Sequence, residues 1–471
     1  MSILRSGTKR IPRHVAAPSA VVEQPRSSGI ADQMEQWQPE TLSINRLRDE
    51  TEAHIVSRVH ARLAATLGRS LDTATPDSIR ALLTEQFPAA LEDEKVTVNR
   101  TDRLRLQDAV FAEVVGYGPI QDLITDDQFS EIMVNGPRQV WVERDGKLYK
   151  TDITFNDADH VIRVIQRIVA PLGRRCDESS PMVDARLPDG SRVNAIIPPL
   201  SLAGPTLTIR KFRRVPFNAM DLLQNGTATA AALQFLAACV RGRLNIIVAG
   251  GSGAGKTTLM NTLSNYVSGR ERIVTIEDAA ELQLQQEHVI PLETRPANAE
   301  GRGEIGVRDL FKNAMRMRPD RVIIGECRGP EALDMLQAMN TGHDGSLTTI
   351  HANGPRDSLS RIETMVLMGG AELPLRAIRE QIVSAIDLVC YVERMQDGTR
   401  RITQISEVRG LEGEVVTMQD IFAFHQEGMG MQGGRVIGEL RPTGIRPSFA
   451  ERLSSRGLEL PPSLFGYTEA Q

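Results

Sequence analysis

Apolar residues in the first quarter of the chain recur every three or four positions, the spacing of one face of an α-helix. The pattern runs from about residue 42 to residue 115. Pro76-Asp77-Ser78 suits the start of a second helix within it. We therefore predict a small N-terminal helical bundle over residues 41–115. Its two clearest stripes are Ile55, Val59, Leu63 and Leu67, and then Ile79, Leu82, Leu83 and Phe87.

Residues 116–212 change to short apolar runs that favour β-strands. Residues 131–134 and 139–143 are strand candidates, and Asp145-Gly146 supplies a hairpin turn after the second run. A single helical stripe follows over residues 161–169. Further strands are expected near residues 192–197 and 206–212. This segment is predicted to be an α+β domain with a small antiparallel sheet.

From residue 217 to about residue 425, strand-like apolar runs alternate with helical stripes, which is typical of an α/β nucleotide-binding core. The charged stretch 213–216 is predicted to be a linker. Residues 1–40 and 426–471 carry no such period, and we expect a disordered tail and a flexible tail respectively. The predicted strands of the core are residues 245–248, 272–276, 321–324 and 346–350, with a closing hairpin from residues 388–393 and 401–408.

A glycine-rich turn follows the first strand of this core, in the pattern Gly250-x-x-x-x-Gly255-Lys256-Thr257. Glycines let successive N–H groups point at one anion, and the helix N-terminus adds a favourable potential. Between a strand and a helix, the pattern predicts a P-loop that binds ATP with Mg²⁺. Lys256 is expected to reach the β- and γ-phosphates, and the Thr257 hydroxyl to ligate Mg²⁺. The predicted nucleotide-binding residues are Gly250, Gly251, Ser252, Gly253, Ala254, Gly255, Lys256, Thr257 and Thr258.

Acidic and histidine residues accompany three further strands. Glu277-Asp278 and Glu326 each follow an apolar strand, and His343 and His351 flank another. The carboxyl ends of parallel strands line one ligand crevice, so these clusters are expected to converge on the phosphates. A carboxylate there can hold Mg²⁺ or orient the attacking water, and a histidine can respond to phosphate charge. Glu326 is our first choice to orient or activate the attacking water, with Glu277 second, and Glu326 is also expected to ligate Mg²⁺.

Composition narrows the class of protein. The 471 residues carry 55 Lys and Arg against 60 Asp and Glu, a net charge of −5, which argues against a general nucleic-acid binder. The four cysteines are far apart, so a zinc site is not expected and a reducing, cytoplasmic environment is favoured. No apolar run is long enough to predict a transmembrane helix, and the basic N-terminus lacks the apolar core of a signal peptide. Membrane association is expected to go through a partner.

The order of these motifs resembles that of the secretion ATPase superfamily, whose members drive type II secretion, type IV pili and type IV secretion. The glycine motif, the acidic box at Glu277, the strand ending in Glu326 and the histidine box at residues 342–351 carry the resemblance. Residues 116–119, 131–137 and 189–194 look like the CpaF/TadA branch of tight-adherence pilus motors. The resemblance covers roughly residues 42–425.

This resemblance implies a RecA-like P-loop ATPase core preceded by a PAS-like α+β domain, with six copies forming a ring. It implies that Arg192 and Arg210 act on the γ-phosphate, for which a forked, always charged guanidinium is suited. His343 and His351 would report the nucleotide state to the domain interface. Hydrolysis would then rotate the domains and drive inner-membrane platform proteins from the cytoplasmic side, extending or retracting a pilus.

Two other functions fit part of the sequence. A type IV secretion or conjugation-type DNA-transfer ATPase predicts a basic channel with aromatic residues, which the aromatic content of 4% and the acidic balance disfavour. DNA-stimulated hydrolysis that falls steeply with salt would favour that function. An ATP-binding scaffold without turnover is the second alternative, and the presence of Lys256, Thr257 and Glu326 together argues against it.

Overall fold

The computed structural model describes residues 41–44, 50–67, 75–93, 95–212, 217–295, 297, 302–370, 372–430 and 434–467. The predicted disordered tail, residues 1–40, and the predicted linker, residues 213–216, lie outside the described residues.

Three helices form the first part of the described chain, and their apolar faces meet in one core that includes Val59, Leu83 and Phe87. The predicted helical bundle is confirmed by these elements. One detail differs, because Thr41–Leu42 is a short strand, β1, that pairs in parallel with Lys150 and Thr151 of the following sheet. The helices are α1 (Glu50–Leu67), α2 (Pro76–Asp93) and α3 (Arg100–Val114).

The next part is a seven-stranded sheet with one long helix on it, which confirms the predicted α+β character. The strands lie in the order β1-β4-β3-β2-β7-β6-β5, and every pair except β1 with β4 is antiparallel. Helix α5 buries its apolar stripe, including Val161, Ile165 and Ile168, against the sheet. The elements are 3₁₀ turns Gly118–Ile120 and Ala170–Leu172, helices α4 (Gln121–Thr125) and α5 (Ala158–Val169), and strands β2 (Phe129–Asn135), β3 (Val140–Arg144), β4 (Lys147–Thr151), β5 (Met182–Arg186), β6 (Arg192–Ile196) and β7 (Thr206–Arg210).

A nine-stranded sheet forms the centre of the remaining chain, in the order β10-β9-β11-β12-β8-β13-β14-β15-β16. Pairing is parallel from β10 to β13 and antiparallel from β13 to β16. The four core strands and the closing hairpin predicted from sequence are all present. The strands are β8 (Ile246–Gly250), β9 (Ile273–Glu277), β10 (Val289–Glu293), β11 (Arg321–Ile324), β12 (Leu347–His351), β13 (Leu388–Arg394), β14 (Arg400–Glu412), β15 (Val415–Met429) and β16 (Val436–Pro442).

Helices cover both faces of this sheet, which confirms the predicted α/β class. Side chains of β8 alternate between two cores: Ile246 and Val248 pack on one face, and Ile247 and Ala249 on the other. Among the residues that the structure describes, no helix has both the length and the apolarity for a bilayer crossing. The helices are α6 (Ala219–Gln224), α7 (Ala230–Arg241), α8 (Lys256–Ser264), α9 (Val307–Ala314), α10 (Glu331–Asn340), α11 (Pro355–Met368) and α12 (Leu375–Ala385).

The end of the chain is structured, so the predicted flexible tail from residue 426 is wrong for the described residues. Strand β15 continues through that point, β16 adds the last strand, and a helix α13 (Ala450–Ser454) and a 3₁₀ turn (Pro462–Phe465) follow. Phe449, Leu453 and Phe465 are buried in the same core as Phe235 of α7, with the Phe235 and Phe465 ring centroids 6.1 Å apart. These apolar residues pack into the core a segment whose Gly- and Pro-rich composition predicted a flexible tail.

Candidate functional site at the glycine loop

The glycine loop leaves the carboxyl end of β8 and turns directly into α8. Gly253 and Gly255 have φ angles of +66° and +96°, which residues with a side chain rarely adopt. Gly250 has no space for a side chain, since a Cβ there would lie 2.3 Å from the carbonyl oxygen of Val392. The turn therefore requires glycine at these positions. All predicted nucleotide-binding residues lie in this turn or the first turn of α8, including half-buried Thr257.

Lys256 lies at the start of α8 with only 7% of its surface exposed. Its Nζ donates to the carbonyl oxygen of Gly251 at 2.8 Å and lies 3.4 Å from both ring nitrogens of His351. Burial lowers the pKa of this ammonium group; Glu326 raises the pKa and Arg210 lowers it further. A buried cation is stabilised by an anion, and the N–H groups at the amino end of α8 can bind the same anion. The loop thus fits a phosphate chain.

Glu326 and His351 lie beside Lys256 because β11, β12 and β8 are adjacent parallel strands. His351 ends β12, opposite Gly250 of β8, and its Nε2 lies 3.1 Å from Oε1 of Glu326. Burial lowers the pKa of His351 below its ordinary 6.5, which favours the neutral ring at pH 7. Arg328 donates to the other oxygen of Glu326 at 2.7 Å. Lys256, His351 and Glu326 therefore contact one another in a chain beside the glycine loop.

Glu277 occupies a different environment from Glu326. It ends β9 with 4% of its surface exposed, and its Oε1 accepts hydrogen bonds from the N–H groups of Glu281 and Leu282. Burial raises the pKa of this carboxyl to about 7. Its side chain lies across Gly325, where a Cβ would be 2.6 Å from Cγ of Glu277. Glu277 thus contacts the backbone just before Glu326, while Glu326 itself reaches His351.

The structure does not bring His343 to the phosphate loop, contrary to the expectation that all three clusters converge there. His343 precedes β12, whereas His351 ends it, and the strand between them alone spans about 13 Å. The backbone of His343 bonds Ala338 and Ser346 at the amino end of the strand. The sequence pattern placed both histidines beside one strand, but only the carboxyl end of a parallel strand meets the ligand crevice.

Arg192 and Arg210 belong to a line of charged residues that crosses five strands of the seven-stranded sheet. Arg186, Arg192, Arg210, Glu131 and Glu143 pair directly in that order across β5, β6, β7, β2 and β3. Directly paired residues on antiparallel strands point to the same face. We call these five residues the charged row. Three arginines are followed by two glutamates, so the row has a basic end and an acidic end.

The basic end of the charged row lies against the acidic-box segment of the nine-stranded sheet. Arg186 pairs with Glu293 at 2.6 Å, and Arg192 pairs with Glu281 at 2.9 Å. Arg210 pairs with Glu131 within the row at 3.6 Å and lowers the pKa of Lys256 in its own chain, after the larger effect of burial. Arg192 therefore contacts the segment after Glu277, and Arg210 acts on Lys256 through its charge.

The acidic end of the row contacts two arginines that sequence reasoning missed. Glu143 pairs with Arg394 at 4.0 Å and with Arg400 at 3.7 Å, and these arginines end β13 and begin β14 beside the glycine loop. The closing hairpin was predicted, yet nothing local in its sequence indicated that its charged ends meet the loop. Only the parallel pairing of β13 with β8 places them there.

Comparison with known proteins agrees with this geometry. The family model described as type II/IV secretion system protein matches residues 113–439, and a model of the type II secretion system protein E N-terminal domain matches residues 53–115. This chain belongs to the type II/IV secretion system protein family. The match to the first model begins near the end of α3 and ends within β16, so it includes both the charged row and the glycine loop.

Individual members of the family are similar over most of their own length. A putative conjugal transfer protein of Mycobacterium tuberculosis is 38% identical over 309 residues, which are 64% of this chain and 87% of that protein. The type IV secretion system protein PtlH of Bordetella pertussis is 34% identical over 314 residues, covering 60% of this chain and 91% of that protein. The crystal structure of the VirB11 ATPase from the Brucella suis type IV secretion system, in complex with sulphate, is 29% identical and covers 61% of this chain and 91% of that one, with a TM-score of 0.34.

Proposed function

We propose that this chain is an ATP-hydrolysing motor of a type II/IV-class secretion or pilus machine. The observation that supports it most directly is the contiguous arrangement of Lys256, His351 and Glu326 at the mouth of a glycine loop. Lys256 and the loop N–H groups would bind the phosphates, and Glu326 would orient the attacking water. His351, bonded to both Lys256 and Glu326, would change partners when a γ-phosphate is present or absent.

The residues at the loop fit Mg²⁺ as well as the nucleotide. The hydroxyl of Thr257 and the carboxylate of Glu326 are oxygen ligands of the kind that Mg²⁺ prefers, and both belong to the elements that meet at the loop. When bound, Mg²⁺ would neutralise charge on the β- and γ-phosphates. Thr257 and Glu326 would hold the ion, and Arg328 would hold Glu326 through its 2.7 Å hydrogen bond.

The charged row would connect this chemistry to motion. Arg210 acts electrostatically on Lys256 and Arg192 bonds Glu281, so both arginines would respond to charge on the nucleotide. A change in these contacts would move the seven-stranded sheet against the nine-stranded sheet as rigid bodies. We propose that six copies form a ring and that platform proteins at the cytoplasmic face of the inner membrane take up this motion.

Two machines are candidates for the work. The motifs at residues 116–119, 131–137 and 189–194 favour assembly of a tight-adherence type IV pilus. The names of the relatives, conjugal transfer protein and type IV secretion system protein, favour a type IV secretion ATPase as the second candidate. Deleting the gene and restoring it with wild type or Glu326→Gln decides between them. Loss of surface pili supports the first machine, and loss of DNA or protein transfer with intact pili supports the second.

The enzymatic proposal is tested on the full chain by measuring ATP turnover against protein concentration, with size-resolved mass in parallel. Glu326→Gln is expected to retain ATP binding and to lose turnover by about 10²-fold or more, because the group that handles water is removed. Lys256→Ala is expected to lose both. Glu304→Gln makes the same chemical change as Glu326→Gln at an exposed position and serves as the control. Equal loss of binding and turnover in Glu326→Gln would overturn its assigned role, and wild-type turnover no greater than that of Lys256→Ala would overturn hydrolysis.

A further inference from the structure

Two guanidinium groups lie next to the glycine loop. Nε of Arg400 donates to the carbonyl oxygen of Gly253 at 2.9 Å, and Cδ of Arg400 lies 3.5 Å from the position that a Cβ on Gly255 would occupy. Nη1 of Arg394 lies 3.7 Å from the corresponding Cβ position of Gly253. Both arginines belong to the nine-stranded sheet, and they lie next to Gly253 and Gly255, the two glycines with positive φ angles in the loop.

A single carboxylate of the other sheet holds both arginines. Glu143 lies 3.7 Å from Arg400 and 4.0 Å from Arg394, which are ion-pair separations longer than a hydrogen bond. Arg394 also donates to the carbonyl oxygen of Gly146 in the turn after β3. More than a third of each arginine side chain is exposed, while the Glu143 side chain is only 13% exposed. Each guanidinium group thus makes one hydrogen bond to a backbone carbonyl and a longer ion pair with Glu143, and it has donors to spare.

Charge around this contact is unbalanced in favour of an anion. Arg210, Arg394 and Arg400 surround Glu131 and Glu143, so the cluster carries one more positive than negative charge. Burial lowers the pKa of Arg400 and Glu143 raises it, while Arg394 and Arg210 lower it further. A phosphate chain on the loop would attract these arginines and repel Glu143. Arginine–phosphate hydrogen bonds are short and frequently bidentate, and thus stronger than a separated ion pair.

We propose that Arg394 and Arg400 are phosphate-binding residues of the P-loop site and that Glu143 competes with the nucleotide for them. The proposal rests on the proposed function in one respect, that the loop binds a nucleoside triphosphate. Nucleotide binding transfers the two arginines from Glu143 to the phosphates and so breaks the contact between the β3–β4 turn and the β13–β14 hairpin. By linkage, docking of that turn weakens nucleotide binding by the same factor.

The competition is measured as the affinity of the full chain for fluorescent methylanthraniloyl-ATP and -ADP with Mg²⁺. Glu143→Gln is expected to bind about threefold to tenfold tighter than wild type, because the competing charge is removed while the side chain keeps its size. The double variant Arg394→Gln/Arg400→Gln is expected to bind about tenfold or more weaker. Adding Glu143→Gln to that double variant should change nothing further, because the groups that Glu143 competes for are gone.

A matched control separates competition from a general loosening of the two sheets. Glu293→Gln breaks the Arg186–Glu293 pair at the opposite end of the charged row, away from the loop, and is expected to leave the affinity unchanged. Arg400→Lys, which keeps the charge but loses the fork, is expected to lie between wild type and Arg400→Gln. Unfolding curves confirm that each variant is folded, and Arg400→Lys stands in for Arg400→Gln if the latter is not.

The outcomes distinguish this proposal from the proposed function. Wild-type chain that does not bind either nucleotide overturns both. Wild-type binding with unchanged or weaker binding by Glu143→Gln overturns the competition alone. Equal tightening by Glu143→Gln and Glu293→Gln also overturns it, because the effect is then not specific to the arginines at the loop.

Discussion

Replacing the buried Glu277 by glutamine is expected to change how the stability of the chain depends on pH. Burial raises the pKa of Glu277 from the ordinary 4.5 to about 7 in the folded chain. The folded state therefore keeps a proton that the unfolded state releases between these values. The contribution of protonated Glu277 to the free energy of unfolding is fully present below pH 4.5 and is lost as the pH rises through about 7.

The magnitude follows from the two pKa values. Each tenfold difference in proton affinity corresponds to 1.36 kcal/mol, so ionisation of Glu277 costs about 3 kcal/mol of folding free energy above pH 8. A glutamine at this position has no charge to bury, and its amide oxygen can still accept the N–H groups of Glu281 and Leu282. Glu277→Gln is therefore expected to be about as stable as wild type at pH 5 and more stable at pH 8.5, although it removes an acid from the candidate site.

The assay is thermal unfolding of the nucleotide-free chain, followed by circular dichroism from pH 5 to pH 8.5 at constant ionic strength. At roughly 2–4 °C per kcal/mol for a cooperative unit of 150–250 residues, the variant should melt about 6–12 °C above wild type at the alkaline end. Glu304→Gln, at an exposed position, should follow wild type at every pH. Melting temperatures of wild type and Glu277→Gln that run parallel across the whole range would refute the reasoning.

Three further predictions concern the site and the end of the chain. Gly325→Ala is expected to lower ATP turnover at least tenfold, because the new Cβ would lie 2.6 Å from Cγ of Glu277 and would push that side chain away. In the control Gly269→Ala the new Cβ has no atom within 4 Å, so turnover should be near wild type. Equal turnover in the two variants would contradict the contact between Gly325 and Glu277. Arg210→Ala is expected to lower turnover, and mixing it with Lys256→Ala subunits should not restore activity, because Arg210 acts electrostatically on the lysine of its own chain. Recovery would instead assign Arg210 to a neighbouring subunit. Phe465→Ala is expected to destabilise the chain by about 3–5 kcal/mol in denaturant unfolding, because the phenyl ring is buried. Tyr467→Ala, at an exposed position, should cost under about 1 kcal/mol. Similar losses in the two variants would show that Phe465 does not contribute to the core.

Much of the fold was predictable from sequence because it depends on local patterns. The apolar runs before Gly250, Glu277 and Glu326 are strands with the expected ends, and the glycine motif lies between a strand and a helix as its spacing requires. These features depend on a few neighbouring residues, where periodicity and turn chemistry are informative. The same locality explains why α5 was predicted from its stripe alone.

The charged row was not predictable, because it depends on the register of strands that are distant in sequence. Glu143 and Arg210 are separated by 67 positions, and they come to one face only through the pairing of β3, β2 and β7. A slip of one residue in any pair would send its side chain to the other face. Arg192 and Arg210 were found through resemblance to a family, whereas Arg394 and Arg400 had no such guide. His343 was misplaced because it precedes its strand, and only the carboxyl end of a parallel strand meets the ligand crevice.

The apolar core around Phe235 depends on residues that are synthesised much later than α7. About 230 residues separate Phe235 from Phe465, which at roughly 5–20 residues per second is a delay of about 10–50 s on the ribosome. Throughout that interval α7 exposes an apolar face that Phe449, Leu453 and Phe465 will later cover. Chains that stop before Phe449 keep this face open, so chaperones and proteases can recognise them.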